Sequence, residues 1–199
     1  MTVGVWKVEE SHECLRAMFQ DFSIYEEGYA RFTSDKRKVE WLAVRALLKE
    51  LCGEEKSVSY YPSGKPYLTD GSARISFSHT QGYVAVAVHP YKEVAVDIEQ
   101  YGTRVKRVAH KYIRGDEQIP AEPLQEIQAL LLHWSAKETL YKLLDKEGVD
   151  FIRHLQVFPF ELVEEGEFIA CEHLTEQNEC FPVHYHTHPH YVLTYASRP

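Results

Sequence analysis

Glu40-Trp-Leu-Ala-Val-Arg-Ala-Leu-Leu-Lys-Glu-Leu51 lines up without gaps on His133-Trp-Ser-Ala-Lys-Glu-Thr-Leu-Tyr-Lys-Leu-Leu144, and it decides how the rest of the chain is read. Trp41 falls on Trp134, Ala43 on Ala136, Leu47 on Leu140, Lys49 on Lys142 and Leu51 on Leu144. Self-similarity of this kind marks a duplicated structural unit. The flanks agree in order: Val3-Gly-Val-Trp-Lys-Val resembles Val94-Ala-Val-Asp-Ile-Glu, and His79-Thr80 with Tyr83-Val84 resembles His186-Thr187 with Tyr191-Val192. Each half therefore runs strand, helix, terminal hairpin. The expectation is two similar subdomains, residues 1–90 and 91–199, each small for a free-standing core, related by a pseudo-twofold with the active site in the cleft at their junction. Strand-like runs at Lys56 to Tyr61, Arg74 to Ser78, Gly82 to His89 and Glu93 to Ile98 follow one another rather than alternating with helices, with turn signals at Pro62-Ser-Gly64-Lys65-Pro66 and Asp70-Gly71. The fold class is accordingly α+β, not a doubly wound parallel sheet.

Two segments of the second half carry chemistry. In Val94-Ala-Val-Asp97-Ile-Glu99 apolar residues alternate with carboxylates, so a strand buries one face and projects Asp97 and Glu99 from the other. No Gly or Pro interrupts Leu124 to Glu147, and Leu130, Trp134, Leu140, Tyr141 and Leu144 recur at helical spacings, which predicts a helix carrying Lys137, Glu138 and Lys142 within about one and a half turns. Taken alone, Glu138 and Lys142 are an ordinary i,i+4 pair, and Asp97 and Glu99 the wet face of an edge strand. Taken together they supply three carboxylates and two ammonium groups, an inventory for holding Mg²⁺ against a diphosphate.

The remaining composition narrows the classes. The chain has 199 residues, 44% hydrophobic, with no apolar run near the length of a membrane span, so neither a membrane protein nor a disordered one is expected. Met1 to Glu10 shows neither a basic nor a long apolar leader region, so the expected compartment is the cytoplasm. Cys14, Cys52, Cys171 and Cys180 are widely spaced without Cys-x-x-Cys and are expected to be reduced and structural. A net charge of -8 disfavours nucleic acid as a partner, yet Arg104-Val-Lys106-Arg107-Val-Ala-His110-Lys111-Tyr-Ile-Arg114 is locally basic. On a helix Arg104, Arg107 and Lys111 make one stripe, either a solvated face or a surface for an acidic partner. His184-Tyr-His186-Thr-His188-Pro-His190 places histidines on one strand face, but Pro189 interrupts the ladder and no ligand spacing completes a zinc site.

Gly64-Lys65-Pro66, Ile75-Ser-Phe-Ser78-His79-Thr80, Val96-Asp97-Ile98-Glu99 and Trp134-Ser-Ala-Lys137-Glu138 with Lys142, in this order and spacing, resemble the 4'-phosphopantetheinyl transferase superfamily. The length and duplication are similar to its monomeric, surfactin-synthetase-activating class. The resemblance spans about Lys36 to Lys142 and implies transfer of the phosphopantetheine arm of coenzyme A to a serine of an apo acyl or peptidyl carrier protein, with release of adenosine 3',5'-bisphosphate. It implies Mg²⁺ on Asp97, Glu99 and Glu138, with Lys142 and Lys137 at the diphosphate. His79 and Ser78 would reach a phosphate oxygen, and Gly64, Lys65 and Pro66 would lie along the nucleotide. Lys36, Arg37 and Arg45 would take the 3'-phosphate. Thr80 departs from the more usual second serine. The serine proton is left to Glu138, directly or through water, or to Asp116 or Glu117, and the basic segment from Arg104 to Arg114 to the acidic carrier. Carriers of fatty-acid, polyketide and peptide synthesis all satisfy this reading. Two other classes compete: a Mg²⁺-dependent phosphohydrolase, which leaves the Gly64-Lys65-Pro66 and Ser78-His79 motifs unused, and a non-catalytic module that binds carriers through the basic segment.

Overall fold

A computed structural model describes residues 1–198, which form two compact units, one of Met1–Val94 and one beginning at Ala95. The first contains β1 (Thr2–Lys7), the short helices α1 (His12–Arg16) and α2 (Ser23–Ala30), the long helix α3 (Asp35–Cys52), and the strands β2 (Val58–Tyr60), β3 (Pro66–Leu68), β4 (Arg74–Thr80) and β5 (Tyr83–His89). Its main sheet has the order β1-β5-β4 and is antiparallel throughout, with Gly4 opposite Val86 and Phe77 opposite the same residue on the other side. β2 and β3 form a separate hairpin around Gly64.

α3 buries Leu42, Ala43, Leu47 and Leu48 against Val84 and Val86. Gly4 is where helix and sheet come closest: a Cβ there would stand 3.0 Å from a Leu47 methyl and 3.2 Å from one of Leu51. An alanine at that point would make the Leu47 and Leu51 side chains give way by a few tenths of an ångström.

In the second unit β6 (Glu93–Gln100) leads through α4 (Arg104–Val108) and a single 3-10 turn (Ala109–Lys111) to α5 (Pro123–Leu144). The chain then forms β7 (Leu155–Val157), β8 (Glu165–Glu172), β9 (Cys180–Thr187) and β10 (Tyr191–Arg198). The sheet order is β6-β10-β9-β8-β7. In both units, then, the first strand is hydrogen-bonded to the last. α5 starts as its sequence dictates, with the Glu122 carboxylate accepting from the Gln125 N–H at 2.8 Å and Pro123 in the first turn. It ends where Asp145 turns left-handed, φ 49°, a little before the Glu147 boundary read from the sequence. Leu132, Ala136, Leu140 and Leu143 bury it against Leu155, Phe181, Val183 and Val192. Between α5 and β10 the Ser135, Thr139 and Thr194 hydroxyls satisfy one another at 2.9 and 2.7 Å.

Two expectations need correction. Cys171 and Cys180 form a disulfide; their spacing hides it, but the β8-β9 register places them directly opposite, with Cα atoms 4.0 Å apart. Cys14 and Cys52 are free thiols. The basic segment is not one continuous helix, because α4 gives way to the 3-10 turn after Val108. Arg104, Arg107 and Lys111 are exposed, while Lys106 pairs with Glu126, and Arg114 pairs with Asp116 at 2.9 Å. Among the described residues no helix is long and apolar enough to cross a membrane.

Candidate active site

The second unit assembles the carboxylates. β6 is paired with β10, the strand on which α5 chiefly packs, and Asp97 is only 4% exposed. Lys142 reaches down from α5 and donates to the Asp97 carboxylate at 2.8 Å and to the Val96 carbonyl at 2.9 Å. Two residues along the strand, Glu99 accepts from the indole N–H of Trp134 at 2.7 Å, which fixes that carboxylate against α5. The tryptophan is held in turn by edge-on contact with Tyr112, ring centroids 5.2 Å apart, and by Phe151.

Burial and mutual repulsion set the electrostatics. Burial first, then the Asp97 charge, pushes the Glu99 pKa up to about 7, with Glu138 adding to the rise and the Trp134 hydrogen bond and Lys142 opposing it. Glu138 is raised for the same leading reasons, burial and then Asp97, again opposed by Lys142. Three carboxylates thus feel one another with the Lys142 ammonium beside them, and a divalent cation would relieve their repulsion. The donor set is all oxygen, which suits Mg²⁺. Among the described residues no three His, Cys, Asp or Glu side chains converge on a metal position as they stand. The residues fit the ion by chemistry, with the Lys142 ammonium occupying one side of Asp97.

Lys137, expected at the diphosphate, points the other way. Its side chain is fully buried, its Nζ bonded to the carbonyls of Tyr112 at 2.5 Å and Phe151 at 3.1 Å and paired with Glu117 at 2.8 Å. Burial lowers the lysine's pKa and Glu117 offsets part of that. One step along a helix turns a side chain by about 100°, so neighbours as alike on paper as Lys137 and Glu138 serve different surroundings. Glu117 also accepts from the N–H groups of Arg114 and Val157, both at 2.8 Å, and Asp116 is tied to Arg114 and Gln156. Of the three carboxylates considered for taking a proton, only Glu138 faces Asp97 and Glu99.

The first unit holds the other candidate residues in and around a cavity of about 260 Å³. Gly28 lets α2 approach the Trp41 ring, since a Cβ there would lie 2.6 Å from it. Trp41 in turn carries Arg45, whose guanidinium stacks 3.4 Å from the ring centroid and donates to the Trp41 carbonyl at 3.2 Å and the Tyr60 hydroxyl at 3.0 Å. Only 3% of Arg45 is exposed, and burial lowers its pKa. At the mouth Arg37 donates to Glu40 at 3.1 Å and lies 3.3 Å from the His79 ring nitrogen. Gly64 and Pro66 close the far wall.

Three expected members stand outside this cavity. Ser78 is buried on the opposite face of β4 from His79 and Phe77. Lys65 is ion-paired with Glu93 at 2.6 Å. Lys36 is exposed, 4.0 Å from Glu40. Trp134, Glu40 and Tyr60 were not singled out as site residues, yet each holds or faces one; Trp134 was signalled by its match to Trp41, and the other two by nothing in the sequence. The histidines near the C-terminus pair across the sheet with glutamates, His184 with Glu167 and His186 with Glu165, both at 3.2 Å, rather than converging on a metal.

A family model described as the 4'-phosphopantetheinyl transferase superfamily matches residues 93–196, taking in Asp97, Glu99, Glu138 and Lys142 but none of the first-unit cavity. No curated protein matches the chain.

Proposed function

Because the chain belongs to the 4'-phosphopantetheinyl transferase superfamily, we propose that it transfers the 4'-phosphopantetheine group of coenzyme A to a serine of an apo acyl or peptidyl carrier protein. The observation that carries this reading is the gathering of buried Asp97 with half-buried Glu99 and Glu138 beside the Lys142 ammonium, wholly inside the matched segment. The serine oxygen forms a bond to the phosphorus bearing the pantetheine, the bond from that phosphorus to the bridging oxygen breaks, and adenosine 3',5'-bisphosphate leaves. Reactions of this kind ask a protein chiefly to position the reactants and stabilise charge on the leaving phosphate.

Each residue has a part in that task. When bound, Mg²⁺ on Asp97, Glu99 and Glu138 supplies positive charge to the diphosphate oxygens. Lys142, already bonded to Asp97, presents an ammonium beside the same carboxylates and orients the leaving phosphate. Glu138, the carboxylate of α5 that faces Asp97 and Glu99, accepts the serine proton directly or through a water. In the first unit Arg37 and His79 offer donors to a nucleotide phosphate and Arg45 stacks deeper in the cavity, while Gly64 lets backbone approach the ligand. Lys36 and Lys65 add positive charge near it. Lys137 has no part at the phosphates. The exposed Arg104, Arg107 and Lys111 steer an acidic carrier toward a monomeric enzyme.

Intact-mass spectrometry of an apo carrier incubated with this protein, coenzyme A and Mg²⁺ tests the reading. A gain of one phosphopantetheine, abolished by EDTA and by Glu138→Ala, is the expected result. No gain with carriers from fatty-acid, polyketide and peptide synthesis would overturn it.

A further inference from the structure

The second unit contains another cavity, about 240 Å³, that none of the residues assigned above lines. It is lined by Ala129 and His133 of α5, by Gln118, Ile119 and Pro120 before that helix, and by Pro159, Phe160 and Leu162 after it. His133 is 2% exposed. Its Nδ1 lies 2.8 Å from the Ala129 carbonyl, and since a carbonyl only accepts, Nδ1 carries the proton. Burial keeps the imidazole pKa below its usual value, so the ring is neutral and Nε2 offers a lone pair. No protein group among the described residues hydrogen-bonds that nitrogen.

Nε2 is thus the open hydrogen-bonding position of a ring that is otherwise enclosed, and six of the eight lining residues are apolar. The volume is ample for a small ring: a dry apolar cavity of about 150 Å³ accommodates benzene. Successive helix residues are about 100° apart, so Ala129 and His133 occupy a different flank of α5 from Trp134, Glu138 and Lys142. The cavity and the carboxylates are thereby separate features of one helix.

We propose that this cavity is a ligand site for a small, neutral, mainly apolar molecule bearing one hydroxyl or N–H donor, which it gives to His133 Nε2 while its apolar body lies against Phe160, Leu162 and Ile119. The assignment is independent of the transfer reaction and requires no carrier or coenzyme A.

The test uses p-cresol and toluene, which share an apolar body and differ by the hydroxyl, titrated into the full-length protein and followed by the imidazole nitrogen resonances and by calorimetry. Saturable binding of p-cresol with a selective shift of His133 Nε2, at least about tenfold tighter than toluene, is expected; tenfold corresponds to about 1.4 kcal/mol, within reach of one buried hydrogen bond. His133→Leu should erase the preference, and His133→Gln, which keeps an acceptor, should restore part of it, both checked for an unchanged fold by circular dichroism. Equal affinity for the two probes, shifts confined to other residues, or no binding to the folded wild type would overturn the assignment.

Discussion

The two long helices align residue for residue, yet Arg45 of α3 falls where α5 has Glu138. In the first unit that position holds a cation stacked on Trp41, and the matching strand positions are Trp6 and Val8, packed into the hydrophobic core. In the second it holds an anion, and the strand positions are Asp97 and Glu99. Lys49 and Lys142 correspond, but Lys49 bonds the Met18 carbonyl and Glu55, whereas Lys142 bonds Asp97. A similar framework of strand, helix and tryptophan thus surrounds a stacked arginine in one unit and a group of carboxylates in the other, the difference in charge resting on a handful of side chains.

The sharpest break in that comparison is the helix position itself. Glu138→Ala removes a member of the carboxylate group and the proposed base, and kcat for transfer should fall by about 10²- to 10⁴-fold, measured by the mass of the modified carrier. The fold should persist, because deleting a buried acid with a raised pKa removes a repulsive charge. A loss under tenfold would mean that Glu138 and Arg45 are equally remote from chemistry. Next in size is Lys137, whose counterpart is Val44, so the first unit shows the apolar alternative to the buried ion pair. Lys137→Val alone strands Glu117 and should cost about 3–5 kcal/mol of stability. Adding Glu117→Gln, which removes the charge and keeps an acceptor for the backbone N–H partners of Glu117, should recover part of this in urea unfolding; if the single variant unfolds at the wild-type midpoint, the pair holds nothing.

The comparison also explains what could be read before any coordinates. Alternation around Asp97 and the uninterrupted run from Leu124 were enough to place Asp97 and Glu99 on a strand and Glu138 on a helix, because both periodicities are local. The leading strand, long helix and closing hairpin of each unit were legible for the same reason, whereas α1, α2, β7 and β8 were not read. Lys137 was not. Its neighbours in sequence gave it a functional look, but its ammonium is claimed by Tyr112, Glu117 and Phe151, groups that only the tertiary fold brings near. Ser78 was misplaced by reading Ser78-His79 as one motif when a strand sends adjacent side chains to opposite faces. The Cys171–Cys180 bridge depends on hairpin register, and the break in the basic segment on packing after Val108, neither of which spacing encodes.

The smallest effect concerns the tryptophans. Glu99, with a pKa raised to about 7, binds a proton more tightly folded than unfolded. The stabilisation this gives is fully present below the ordinary glutamate pKa and is lost as pH rises through about 7, so the metal-free protein should melt at lower temperature as pH goes from 5 to 8. Mg²⁺ should flatten that slope by binding the deprotonated form. Trp134 donates to the charged carboxylate and so holds this pKa down. Trp134→Phe should therefore move the loss of stability to higher pH and weaken Mg²⁺ binding about tenfold, the usual scale for losing a hydrogen bond to a metal-binding group. Trp41→Phe, the same change in the unit whose tryptophan carries an arginine, should leave Mg²⁺ affinity and the pH slope where they were. If both variants shift the slope alike, the tryptophans serve packing in each unit, and the distinction between the two copies rests on Arg45 and Glu138 alone.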